Sequence, residues 1–244
     1  MPLPSFVLVH GAWHDARAWN QLVDVLDRRG CRSVAVDLPI DDVGVDASGY
    51  ARVIAGAIVE LGADPEPPVV VGHSMSGIAI PLVPGLAPVR GLVFLAGLIP
   101  DPGRTMASVQ ASEDVLVNGG GVARDATGRS HWTSTDAAIE ILYHDCSPAL
   151  ARSVAERLRP QARTPHDERC PLVRFPDVPT SYLVMRDDRM IRPQWSRTAA
   201  RRRLGVEPLE LPGGHSPMLS DPERLADALI ALTRAVDREY VRGQ

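Results

Sequence analysis

Two hydrophobic patterns alternate along the chain. Short strand-like runs, rich in β-branched residues and most of them without polar alternation, occur at Phe6–His10, Ser33–Val36, Val69–Gly72, Leu92–Ala96, Ser181–Met185 and Val206–Leu211. Runs without polar alternation suit strands covered on both faces, as a parallel sheet requires. Between them lie segments of helical period: Trp19, Leu22, Val23 and Leu26 share one face of the first, and Val53, Ile54, Ala57, Ile58 and Leu61 one face of the next. Strand, helix and strand in succession imply crossover connections. The pattern therefore predicts an α/β fold built on a doubly wound, mostly parallel sheet.

The alternation stops between about Pro100 and Pro176, where helical stretches such as "DAAIEILYHD" and "SPALARSVAERLRP" occur but no convincing strand does. Residues 1–99 and 177–244 are thus expected to form the core, and 100–176 a helical cap inserted into it. Within that insertion "NGGGVARDATGR", Asn118 to Arg129, reads as a mobile solvated loop, because its glycines follow no strand and match no phosphate-binding pattern. The "RRR" of Arg201 to Arg203 reads as an exposed helix end. No internal repeat is found.

Composition narrows the chemistry. The 244 residues, enough for one large α/β domain or two small ones, are 45% hydrophobic and can fill a sizeable core. A net charge of −4 gives no basic stripe for a phosphate backbone, so nucleic acid is not an expected partner. All 26 basic residues are arginine, and the absence of lysine removes Schiff-base chemistry and the P-loop. Cys31, Cys146 and Cys170 are odd in number and lack CxxC spacing, which argues against a disulfide framework or a zinc site and fits a reducing cytoplasm. The amino end carries no basic leader, and its apolar run is too short for a membrane span.

The most informative stretch is "VVVGHSMSGIA", Val69 to Ala79. A buried strand running into Gly72-His73-Ser74-Met75-Ser76-Gly77 and then the helical "IAIPLV" has the form of a nucleophile elbow, in which Ser74 is presented on a sharp, strained turn. Ser76 stands where the G-x-S-x-G pattern has its second glycine, a departure that bears on packing behind the elbow. The plainer reading is a serine capping the following helix. A serine nucleophile needs a base in hydrogen-bond reach and an acid to fix that base's tautomer. Of seven histidines, His215 follows the last predicted strand across a Gly-Gly turn and precedes a helix that Asp221 can cap, which puts it at the carboxyl edge of the sheet where ligands bind in open α/β folds. His131, His144 and His166 are expected at the surface of the cap, and the His73 side chain is expected to point away from the serine. Asp187 and Asp188 stand in the right chain order for the acid, with Asp188 preferred and Asp101 third. An oxyanion hole would take one N–H from Met75 and the other from "VHGAW" after the first strand, assigned to Ala12, with Gly11 permitting close approach.

With these pieces in place the chain resembles the α/β-hydrolase superfamily, and within it the branch of plant methylesterases and hydroxynitrile lyases. The likeness runs almost end to end, through "FVLVHGAWHDARAW", "VVVGHSMSG", "LVFLAGLIPDP", "YHDCSPALARSVAERLRP", "SYLVMRDDRMI" and "GGHSPMLSDPERLA". The family pattern places its acid at the second carboxylate of its loop, which supports Asp188. Lyase members resemble this chain but use a threonine beside the oxyanion residue of the first strand and a lysine just after the histidine; here those positions hold Gly11 and Ser216. Epoxide hydrolases and haloalkane dehalogenases of this fold use an aspartate where Ser74 stands.

The expected function is hydrolysis of a small or medium carboxylic ester through an acyl-enzyme, with Ser74 as nucleophile, His215 as base and Asp188 as its orienting acid. Hydrolysis should fade as pH drops through roughly 6 to 7, where imidazole protonates. Gly11, Trp13, Trp132, Leu142 and Tyr143 are the expected pocket residues, in a largely apolar cavity under the cap. Neither a metal nor an organic cofactor is implied. The partner is a small-molecule ester rather than nucleic acid or membrane, and a homodimer is compatible with the sequence. Two other readings stay open: a triad-bearing non-esterase such as a lyase, a cofactor-independent oxygenase or a cyclase, and a protein that only binds a ligand.

Overall fold

In the computed structural model the wholly buried run Phe6–Val9 forms the first strand, β1, an interior strand of the sheet. Residues 3–62, 66–117 and 120–242 are described, the segment 234–242 by its backbone alone. In chain order follow α1 (Asn20–Arg28), β2 (Ser33–Val36), α2 (Ala47–Leu61), β3 (Val69–His73) and β4 (Gly91–Leu95). Then come α3 (Met106–Ser112), β5 (Val122–Arg124), β6 (Ser130–Trp132), α4 (Thr135–Leu142), α5 (Pro148–Ala155) and α6 (Thr164–Asp167). The chain closes with β7 (Thr180–Met185), α7 (Pro193–Ala199), β8 (Leu209–Leu211), α8 (Pro217–Ser220) and α9 (Pro222–Arg242).

Six strands form one sheet in the order β2-β1-β3-β4-β7-β8, with every pairing parallel. The helices follow from the expected periodicity, except that Val53, expected on the inward face of α2, is exposed because that face is centred on Tyr50, Ile54 and Ile58. In α1 Leu22, Val25 and Leu26 are buried, and in α2 Tyr50, Ile54 and Ile58, while the Asp46 side chain caps α2 by accepting from Gly49 N–H at 2.6 Å. Each fully buried large apolar side chain contributes about 1.5–3 kcal/mol, so the strands that carry Phe6, Leu8, Phe94, Leu95 and Leu183 anchor the core.

Register aligns the carboxyl ends. Val9 pairs with Val36 and Gly72, His73 with Leu95, Leu95 with Leu183, and Met185 with Leu211. The loops after β1, β3, β4, β7 and β8 therefore emerge along one edge. Strand order reverses between β1 and β3, the crevice where open α/β sheets hold ligands.

Four further expectations need correction. The segment after Ser74 is not an α-helix but two 3-10 stretches, Ser74–Ile78 and Ile80–Gly85, because Pro81 and Pro84 supply no N–H to an α-helical ladder. The last sheet strand spans only Leu209–Leu211, Gly205 having left the helical region with φ 69° just before it. The insertion contains a hairpin, β5–β6, where no strand was expected; three-residue strands are too short to show a period, and Asp125 Oδ1 ties their turn by accepting from Thr127 N–H and Arg129 N–H. Asn118 and Gly119, the start of the expected loop, lie outside the described residues. Finally, Arg203 is no exposed helix end: its side chain is 12% exposed and binds Glu113 and the Ile99 carbonyl.

Candidate active site

Ser74 directly follows β3 on a turn with φ 53°, a left-handed value that a serine adopts only when its surroundings hold it there. What holds it is visible. The Ser74 carbonyl accepts from Leu98 N–H at 2.9 Å, and Gly77 packs so closely that an added Cβ would lie 2.2 Å from the Leu98 carbonyl oxygen. Ser76, at the position of the missing glycine, is fully buried, and its hydroxyl lies 2.9 Å from the His73 carbonyl and 3.0 Å from that of Val9. The departure from the pattern thus ties the elbow to β1, and Gly77 is the position where only glycine fits.

Ser74 Oγ does not cap a helix; it lies 3.0 Å from His215 Nε2, and His215 Nδ1 lies 2.8 Å from Asp188 Oδ2. The pair is 2% and 3% exposed. Asp188 Oδ1 accepts from Met190 N–H at 2.7 Å and Ile191 N–H at 3.0 Å, so the carboxylate is satisfied although buried. The Gly-Gly turn that carries His215 is tied down by two other carboxylates: Asp187 accepts from Gly213 N–H at 2.9 Å and Asp145 from Gly214 N–H at 2.6 Å. Asp101 lies apart, paired with Arg104.

His73 reaches beneath the same turn. Its Nε2–H donates to the His215 carbonyl at 2.8 Å, and burial together with the neighbouring His215 pulls its pKa well below the ordinary histidine value. His14 is lowered to about 4, chiefly by burial; its Nδ1–H donates to the Ala12 carbonyl at 2.7 Å while Tyr143 O–H donates to Nε2 at 2.6 Å.

A cavity of about 260 Å³ opens over Ser74, with Ala12 and Met75 at the same end. Trp13, held at φ 65°, lines it and donates from Nε1 to Ser130 Oγ at 3.1 Å. The other expected wall residues are placed elsewhere. Leu142 and Tyr143 are buried at 1% and 0%, because α4 turns its apolar face to the core. Trp132 stands behind Trp13, ring to ring at 5.2 Å, and lines a separate cleft. Gly11 sits beneath the site, where an added Cβ would come 2.8 Å from Ser74 Cβ.

Residues that sequence reasoning missed supply the walls: Leu116 and Val122, Met190 and Ile191, and a polar set from Arg124 to His166. His166, expected at the surface, faces this cavity with a pKa lowered to about 4, first by burial and then by Arg163. No periodic signal marks these residues, which come from loops, two three-residue strands and the four-residue α6.

The fold and these distances can be set beside known proteins. A model for an alpha/beta hydrolase family matches residues 6–228. The chain belongs to that family. It is 26% identical to methylesterase 2 of Arabidopsis thaliana over 93% of this chain and 95% of that protein, and 27% identical to alpha-hydroxynitrile lyase of Arabidopsis thaliana over 93% and 96%. Among solved structures, the pyrethroid hydrolase from Sphingobium faniae superposes with a TM-score of 0.76 at 22% identity, covering 96% of this chain and 98% of that one. The chain is thus an α/β hydrolase of the plant methylesterase-like branch. Whole-chain likeness is as close to a lyase as to an esterase, so the residues at the site must separate the chemistries. Among the described residues no group of His, Cys, Asp or Glu could hold a metal ion, and no helix is long and apolar enough to cross a membrane.

Proposed function

We propose that this protein is a serine hydrolase of small or medium carboxylic esters. The observation that carries the reading is the unbroken chain of contacts from Ser74 Oγ through the His215 ring to a fully bonded Asp188 carboxylate. Ser74 attacks the ester carbonyl as His215 Nε2 takes its proton, and the same proton passes to the departing alcohol. A water activated by His215 then releases the acid and regenerates Ser74. Asp188 keeps the imidazole proton on Nδ1 and stabilises the imidazolium that forms. Backbone N–H groups of Ala12 and Met75 are the proposed donors to the oxyanion, a contribution of about 2.7–4 kcal/mol per donor.

Lyase chemistry fits these residues less well. The position next to Ala12 is Gly11, where any side chain would meet Ser74 Cβ, and the residue after His215 is Ser216, whose buried hydroxyl carries no charge. Hydrolysis of p-nitrophenyl acetate by the purified protein, abolished in Ser74→Ala, is the expected result. A Ser74→Ala form as fast as the parent would remove the nucleophile assignment.

A further inference from the structure

The cavity over Ser74 has two chemically different walls. One is apolar: Leu116 bridges to Ile191, Val117 N–H donates to the Met190 carbonyl at 3.0 Å, and Leu98 lies on the same cavity. The other is polar: Ser130 of β6 bridges to Gln161 through reciprocal N–H to carbonyl bonds of 2.8 Å, which joins the hairpin, where Ser130 pairs with Arg124 of β5, to the segment carrying Arg163 and His166. No aspartate or glutamate lines the cavity, whereas two arginines do.

The charges do not cancel. Arg163 forks onto Asp167 at 2.9 and 2.6 Å, and this contact holds the Asp167 carboxyl below its usual value. Arg124 has no ion pair within 4.0 Å among the described residues. Two guanidiniums against one carboxylate leave a single positive charge beside the cavity, and His166, neutral near pH 7, adds a hydrogen-bonding ring but no charge. A cationic wall with low-dielectric neighbours concentrates anions, and a guanidinium pairs with a carboxylate through parallel N–H donors.

We infer that the favoured substrates are esters bearing a carboxylate remote from the scissile bond, with that carboxylate received by Arg124 and Arg163 and the hydrocarbon between resting on the apolar wall. This rests on the hydrolase reading above and narrows it to half-esters of dicarboxylic acids and similar acids.

Monomethyl adipate and methyl hexanoate differ only in whether the far end is a carboxylate or a methyl group. With the parent protein, kcat/KM should favour monomethyl adipate by about tenfold, the scale of one charge-assisted hydrogen bond, mainly through KM and less so as salt is added. Arg124→Gln should bring the ratio close to one and Arg124→Glu should invert it; the exposed position of Arg124 makes both variants compatible with folding. A parent ratio at or below one, or a ratio that survives Arg124→Glu, would overturn the inference while leaving ester hydrolysis standing. Calorimetry with Ser74→Ala separates the two ideas. If no ester is turned over in a Ser74-dependent way, the hydrolase reading fails, yet tighter binding of monomethyl adipate than of methyl hexanoate would still uphold the anion site; equal binding would end both.

Discussion

Asp188→Asn is the change that tests the proposed proton path most directly. Asp188 Oδ1 accepts from two backbone N–H groups, at 2.7 Å from Met190 and 3.0 Å from Ile191. An asparagine must offer its carbonyl oxygen there, since its NH2 would face two donors. The NH2 then takes the place of Oδ2, 2.8 Å from His215 Nδ1, where a donor already points. The imidazole escapes by moving its proton to Nε2, but Nε2 is the atom 3.0 Å from Ser74 Oγ and can no longer accept the serine proton. A tautomer switch of this kind costs about 10⁴-fold in kcat, or about 5.4 kcal/mol of barrier. The fold should survive, because shape and both backbone bonds are kept. The control is Asp187→Asn, an exposed carboxylate whose bond from Gly213 N–H an amide oxygen can still accept, and there the loss should stay below about tenfold. Initial rates on p-nitrophenyl acetate, with thermal melts of each variant, give the comparison. Asp188→Asn within tenfold of the parent would refute the argument, and a collapse in Asp187→Asn alone would move the acid to its neighbour.

Two further outcomes follow from buried polar groups. His14 takes up a proton near pH 6.5 when unfolded but only near 4 when folded, so the unfolded state binds more protons in that window; stability is full above 6.5 and falls by about 3 kcal/mol toward pH 4, with His73 adding in the same direction. Urea melts at several pH values check this, and an unfolding free energy that stays flat between pH 7 and 5 would contradict it. Ser76→Gly restores the G-x-S-x-G pattern yet removes the hydroxyl that binds the elbow to β1, so it should lose about 1–2.5 kcal/mol, from the lost hydrogen bond and added chain entropy, and several degrees of Tm; an unchanged or higher Tm would show that the hydroxyl adds nothing.

What could be read from the sequence was what has a period or a punctuation mark. Five sheet strands stand close to their expected places because their residues form short apolar runs, buried throughout in β1, β3 and β4 and in part in β2 and β7; the sixth is shorter than expected. Ser74, Asp188 and His215 could be named because each follows a strand at the sheet's carboxyl edge, and the structure brings those three side chains within hydrogen-bond distance. The cavity walls could not. Arg124 sits in a three-residue strand, Met190 and Ile191 follow a turn, and Gln161 to His166 run from a loop into the four-residue α6, so their placement depends on bridges such as Ser130 to Gln161 that join residues far apart in the chain. Apolar periodicity in α4 even misled, since it marks Leu142 as buried without saying against which surface.

Tyr143 shows what a misplaced wall residue does instead. The loop after β1 must hold Trp13 at φ 65°, at a cost of about 1–3 kcal/mol, and keep the Ala12 N–H, the proposed oxyanion donor, in a fixed orientation. In a trans peptide the carbonyl of one residue and the N–H of the next point in opposite directions, so fixing the Gly11 carbonyl fixes the Ala12 N–H. His10 does so, its Nδ1–H donating to Gly11 O at 2.8 Å while Nε2 accepts from Leu38 N–H at 2.9 Å. His14 holds the next carbonyl, that of Ala12, and Tyr143 holds His14. Arg159 completes the series, its backbone N–H on the Trp13 carbonyl at 2.7 Å and its guanidinium on the His14 carbonyl at 2.9 Å. Four successive carbonyls, from Gly11 to His14, are thus bonded, and two of the anchors, Tyr143 and Arg159, come from the segment between β4 and β7. The segment between β4 and β7 therefore does more than line the cavity: it braces, from Ala12 to His14, the loop whose proposed oxyanion donor, the Ala12 N–H, is set by His10.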